Sequence, residues 1–142
     1  MLFNVSYRNP RIIKSIDTSV GKPFSLKERF NMKGIGCGKL YITSCSIEIH
    51  NLLILDSYLD VCNIEMRPDG IIVGFRSLLE SYALVIPFYK LNLYKGKAEE
   101  YSIYGDHHFI KIKADTQKIH QFIKKVLAFK ANHSTSTDRG YY

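Results

Sequence analysis

The side chains with the most chemical potential stand together in YGDHHFIKIKAD, residues 104–115, where Asp106 precedes His107 and His108. A carboxylate beside two imidazoles is the composition of a metal site or an acid–base pair. The setting argues against both. The triplet separates EYSIYG from HFIKIK, two runs that alternate apolar and polar residues as strands do. Gly105-Asp106 between them reads as a two-residue turn with glycine first, as a type II′ turn requires. Adjacent strand residues point to opposite faces of a sheet, so His107 and His108 do not hold one metal from regular positions. The expectation is a hairpin in which His108, Ile110 and Ile112 share one face and His107, Phe109, Lys111 and Lys113 the other.

Other reactive groups are read the same way. Cys37, Cys45 and Cys62 are odd in number and form no CxxC pair. They fit buried thiols in a reducing compartment better than a disulfide framework or a zinc site. GIGCG, residues 34–38, has the glycine density of a phosphate cradle, but such cradles follow a strand and open a helix. This one follows a helix. In PFSLKERFNMKG, residues 23–34, Ser25 and Glu28 make a capping box, while Lys33 and a left-handed Gly34 close the far end. The helix spans about 26–33, with Leu26 and Phe30 on one face. The remaining carboxylates are scattered, with no nucleophile, base and orienter to form a set. No catalytic residue, cofactor or metal ligand is expected.

The elements that position these residues come from periodicity. KLYITSCSIEIH alternates Leu40 and Ile42, then Ile47 and Ile49, with a bulge or bend around Thr43–Ser46 where the phase slips. LDVCNIEM (59–66) and IIVGF (71–75) flank Arg67-Pro68-Asp69-Gly70, a tight-turn sequence. ALVIPFYKLNLY (83–94) places Leu84, Ile86 and Phe88 on one face before its phase shifts to Leu91 and Leu93. Pro87 donates nothing to a ladder and belongs at an edge or a bend. Ile119, Phe122, Ile123, Val126, Leu127 and Phe129 follow helical spacing over about 116–131, with Asp115 or Thr116 as the cap. PRIIKSID is compatible with a short strand or an irregular arm. The expected organisation is an N-terminal arm with a short helix (1–33), a β-rich body with its helix (34–131) and a polar tail (132–142).

The chain of 142 residues is long enough for one core, and its most apolar run, LLIL at 52–55, is too short to span a bilayer. No secretory leader is visible at the N-terminus, and a cytoplasmic location is expected. The net charge of +7 is uneven: residues 1–40 carry +6, residues 41–94 carry −3 and residues 95–142 carry +4. Such asymmetry marks either contact with phosphates or anionic lipid, or a solvated surface that maintains solubility.

Strands followed by one amphipathic helix suggest an α+β, mostly β fold: a strongly bent antiparallel sheet or partial barrel with the helix over an open end. GKLYITSCSIEIH resembles the first strand of GRAM and bacterial pleckstrin-homology-like domains. ALVIPFYKL is similar to their strand with an Ile-Pro step, and YSIYGDHHFIKIK with IHQFIKKVL resembles their last hairpin and capping helix. The resemblance covers roughly residues 38–130 and implies a noncatalytic binding module for lipid headgroups, peptides or other domains. Phosphoinositide-binding members carry Lys and Arg around their first strand-to-strand loop. NLLILDSY here has none, so those roles do not transfer, and the helix tryptophan of eukaryotic members is also missing.

The expected function is thus an interaction module with a protein partner or an anionic lipid surface. Lys95, Lys97, Lys111 and Lys113 are the candidate contacts. One alternative is nucleic-acid binding through the basic termini and tyrosine-rich strands. Another is a PilZ-like cyclic-dinucleotide sensor. Arg8-Asn9-Pro10-Arg11 and Asp17-Thr18-Ser19-Val20-Gly21 come near that family's motifs, each off by one residue.

Overall fold

A computed structural model describes residues 1–55, 60–97 and 99–140, with side chains described as far as His133. The end of NLLILDSY and Leu59, the first residue of the strand expected at 59–66, lie outside the described residues.

The alternating segments form strands that hydrogen-bond into one antiparallel sheet. β3 (Val61–Arg67), β4 (Gly70–Ser77) and β5 (Glu80–Pro87) make a meander. The Arg67–Gly70 turn has the sequence its Pro-Asp pair implies, and Pro87 ends β5 opposite Gly70, where no further ladder donor is needed. β6 (Asn92–Lys95), β7 (Glu100–Gly105) and β8 (His108–Lys113) make a second meander. β2 (Leu40–Cys45) joins the two. Its Leu40 and Tyr41 pair with Cys62 and Val61 of β3, whereas Ile42, Ser44 and Cys45 pair with Ile112, Lys111 and Ile110 of β8. The register slips between Ile42 and Ser44, so Thr43 is the extra residue of a bulge that bends the strand where the sequence phase changed. β1 (Leu2–Asn4) adds an edge strand on β5. The order is β1-β5-β4-β3-β2-β8-β7-β6, and the sheet is open.

Two helices close the inner face. α4 (Gln117–Gly140) lays Ile119, Phe122, Ile123 and Val126 on the core, and it runs past the expected end at 131. α3 (Ile47–Leu53) adds Ile49 and Leu53. α3 corrects the reading of SIEIH as strand. Ile47 and Ile49 fit a period of two, but Ile49 and Leu53 one turn apart are the pair that is buried, while Ile47 faces outward.

PRIIKSID is neither strand nor irregular arm. It opens α1 (Pro10–Val20), with the Asn9 side chain accepting from the Arg11 amide and Pro10 in the first turn. Ile12, Ile16 and Val20, four residues apart, pack on the outer side of β4 and β5 against Ile72, Ala83 and Val85. These two strands are therefore apolar on both faces. Burial of Ile16 and Val20 contributes about 1.5–3 kcal/mol each. Gly70 permits the close approach: a Cβ there would meet Val20 Cγ1 at 2.6 Å and Pro87 Cα at 2.9 Å. Arg67, nearly buried, donates to the Gly21 carbonyl at 2.9 Å and to Asp17 at 3.3 Å and pairs with Glu65, so its charge is matched.

Candidate functional surfaces

The Asp106-His107-His108 turn is one residue later than expected. Gly105 pairs with His108, and Asp106 and His107 form the turn, with Asp106 taking the positive φ of 54°. Gly105 serves instead for close packing, since a Cβ there would lie 2.7 Å from the Ile86 side chain. The three polar groups face different partners. The Asp106 carboxylate accepts from Lys90 at 3.1 Å and from the N-terminal ammonium at 3.3 Å. The hydrogen bond from Lys90 holds its pKa below the usual carboxylate range. His108 is buried, with Nδ1 3.4 Å from Ser46 Oγ and Nε2 3.5 Å from Glu48. His107 is exposed. The other described imidazoles near acceptors are also structural: His120 bonds Tyr101 at 2.8 Å, and His133 bonds Asp69 at 3.0 Å. Among the described residues no group of three His, Cys, Asp or Glu side chains is placed to hold a metal.

Cys37 and Cys62 are buried and Cys45 half-buried, all three as free thiols. Burial pushes the Cys62 thiol up to about 12, which leaves it protonated and a poor nucleophile.

The four candidate lysines do not form one face. Lys111 and Lys113 stand on the outer face of β8, opposite Ser102 and Glu100 of β7. Lys95 is opposite Tyr101, whose side of the sheet faces the core, and Lys97 lies exposed beyond β6. What the outer face adds, and sequence reading missed, is an aromatic row. Tyr94 and Tyr104 meet edge-on with ring centroids 5.7 Å apart, and Tyr104 lies 5.7 Å from Phe109. Only the strand register, Tyr94 opposite Ser102 and Tyr104 opposite Phe109, aligns them beside Lys111.

Two exposed apolar surfaces were also not foreseen. At one end of the sheet the β4–β5 turn presents Leu78 and Leu79, the latter 87 % exposed. Ser77 Oγ donates to the Leu52 carbonyl, which brings this turn against the end of α3, where Ile54 and Leu55 are exposed as well. The second surface is α2 (Leu26–Asn31), whose capping box forms as expected. Its far end differs in one residue: Lys33, at φ 60°, takes the first left-handed position and Gly34 follows it. Their amides close on the Phe30 and Arg29 carbonyls, the pattern of a Schellman cap. Leu26 and Phe30 share a face as read, and that face is turned to solvent, 83 % and 85 % exposed.

Along α1 runs a cleft of about 420 Å³ lined by Arg8, Lys14, Asp17, Thr18 and Lys22. The two motif-like segments thus lie on α1 and its caps. A second groove of about 710 Å³ crosses the outer face of β3–β5 beside Asn63, Glu65 and Arg76. Among the described residues no helix is long and apolar enough to cross a membrane. Compared with models of known families, with curated proteins and with solved structures, the chain matches none.

Proposed function

We propose that the chain is a noncatalytic interaction module with a PH-like body, which docks a protein partner at the apolar end formed by the β4–β5 turn and α3. The PH-like reading is supported by the pairing of the GKLYITSC strand with the last strand and by the terminal helix over the inner face. The absence of chemistry in the reading is supported by the structural partners that engage Asp106, His108, His120 and His133. A cytoplasmic setting fits the odd count of three cysteines without a CxxC pair.

The observation that carries the docking end is Leu78-Leu79. Leu78 adopts φ 56°, a left-handed conformation that costs a bulky residue on the order of 1 kcal/mol, and it is 58 % exposed. Leu78 in this conformation, with Leu79, Ile54 and Leu55 exposed beside it, has the composition of a contact core. The test is photocrosslinking in the cells that make the protein, from a crosslinker at Leu79 and, as control, at exposed Gln121 on α4. A discrete adduct from position 79, competed by unlabelled wild type and not by L78S/L79S, supports the reading. Equal adducts from both positions, or none from 79, contradict it.

The aromatic row favours a second reading, single-stranded nucleic acid stacked on Tyr94, Tyr104 and Phe109 with Lys111 at the phosphates. Salt-sensitive RNA binding weakened by Y104A would support it, and a flat titration removes it.

A further inference from the structure

The strap from Gly21 to Gly34 is anchored and turned outward at once. Phe24 packs edge-on against Phe129 of α4 at 6.4 Å. At the other end Lys125 of α4 donates to the carbonyls of Met32 at 2.8 Å and Gly34 at 3.2 Å. Between these anchors lies α2, with both ends capped, Arg29 Nε donating to the Phe24 carbonyl at 3.0 Å, and none of its residues buried. A helix fixed this firmly would be expected to turn Leu26 and Phe30 inward. It presents them to solvent.

Charge identifies what the face is built to meet. Residues 22–33 carry Lys22, Lys27, Arg29 and Lys33 against Glu28 alone. The Glu28 carboxylate is occupied by the Ser25 amide at 3.0 Å. α4 beneath contributes Lys118, Lys124, Lys125 and Lys130, with no Asp or Glu between 117 and 133. On α1, Asp17 is engaged by Arg67, while Arg8, Lys14 and Lys22 line its cleft. The segment that carries the two apolar side chains is therefore itself positive, and α4, which packs against it, is rich in lysine.

We infer that α2 is a membrane-surface anchor that inserts Leu26 and Phe30 shallowly into an anionic bilayer while Lys22, Lys27 and Lys33 of the same segment meet the headgroups. Two side chains on a six-residue helix offer far less than the roughly 800 Å² per partner of a stable protein contact. Interfacial insertion needs only a small apolar face and electrostatic attraction. Pre-forming the helix removes the folding cost that disordered anchors meet on binding. The inference is independent of docking at the Leu78-Leu79 end, which uses other residues.

Flotation of the full chain with phosphatidylcholine vesicles, with and without phosphatidylglycerol, tests it. Binding is expected only when phosphatidylglycerol is present and is expected to weaken as salt rises. L26S/F30S should lower the partition coefficient by about tenfold or more, and K22E/K27E should reduce it at low salt. L78S/L79S should leave it unchanged. Leu26 and Phe30 support no core, so the thermal midpoint of L26S/F30S should match wild type and show that the variant is folded. No binding to anionic vesicles at low salt overturns the inference. So does binding that L26S/F30S retains in full and that single-stranded DNA displaces, which would assign the surface to phosphate contact alone.

Discussion

Burial holds the His108 imidazole below its ordinary pKa of 6.5, against the opposing pull of Glu48. The neighbouring His107 and N-terminal ammonium act in the same direction as burial, and Asp106 against it. Because the folded pKa is lowered, the unfolded chain takes up the proton first. The stabilisation is complete above about pH 6.5 and is lost as pH falls through the unfolded value toward the folded one. Denaturant midpoints measured between about pH 7.5 and 5.5 should therefore fall for wild type and fall less for His108→Gln. Equal slopes would place the titration elsewhere. At this scale the shared face of His108, Ile110 and Ile112 was legible from alternation, and the structure turns that face to the core. The turn position was not. Gly105 is a favourable first turn residue, but the crowding of Ile86 demands a residue without a Cβ there, and Asp106 tolerates the left-handed conformation instead.

Lys125 ties two elements that lie far apart in sequence. Its ammonium satisfies two carbonyls just past α2, and hydrogen bonds from a charged donor are worth about 1.5–3 kcal/mol. Lys125→Met should preserve the apolar stem and release these carbonyls. Amide exchange at Met32, Lys33 and Gly34 is expected to accelerate about tenfold or more, while the α4 amides facing the core stay protected. Unchanged exchange at those three amides would show that Lys125 does not anchor the strap.

The elements themselves were read with uneven success. Capping chemistry located α2, and the spacing of Ile119 to Val126 located α4. α1 was within reach, because Asn9-Pro10 is a start signal and Ile12, Ile16 and Val20 recur every four residues. α3 was ambiguous for a physical reason: seven residues with Ile47, Ile49 and Leu53 fit both periods, and only the sheet beneath decides which side chains are buried.

For the molecule as a whole, local pattern fixes which segments are strands and says little about which strands meet. The hairpins β3–β4 and β7–β8 announced themselves through their turns, but β2 pairs with β3 about twenty positions away and with β8 about seventy positions away. The same holds for β1 on β5. The exposed surfaces inherit that opacity. The aromatic row needs the register of three strands, and the Leu78-Leu79 end needs α3 beside β4. The candidate lysines were chosen as one group, yet the register sets Lys95 and Lys111 on opposite faces.

All these placements depend on β2 serving both halves of the sheet. Long-range amide and α-proton NOEs from isotope-labelled protein test this directly. The structure requires contacts from Leu40 and Tyr41 to Cys62 and Val61, and in the same molecule from Ser44 and Cys45 to Lys111 and Ile110. If β2 shows contacts to only one of these partners, or a register in which Thr43 is not bulged, the bent sheet and the surfaces arranged on it are contradicted.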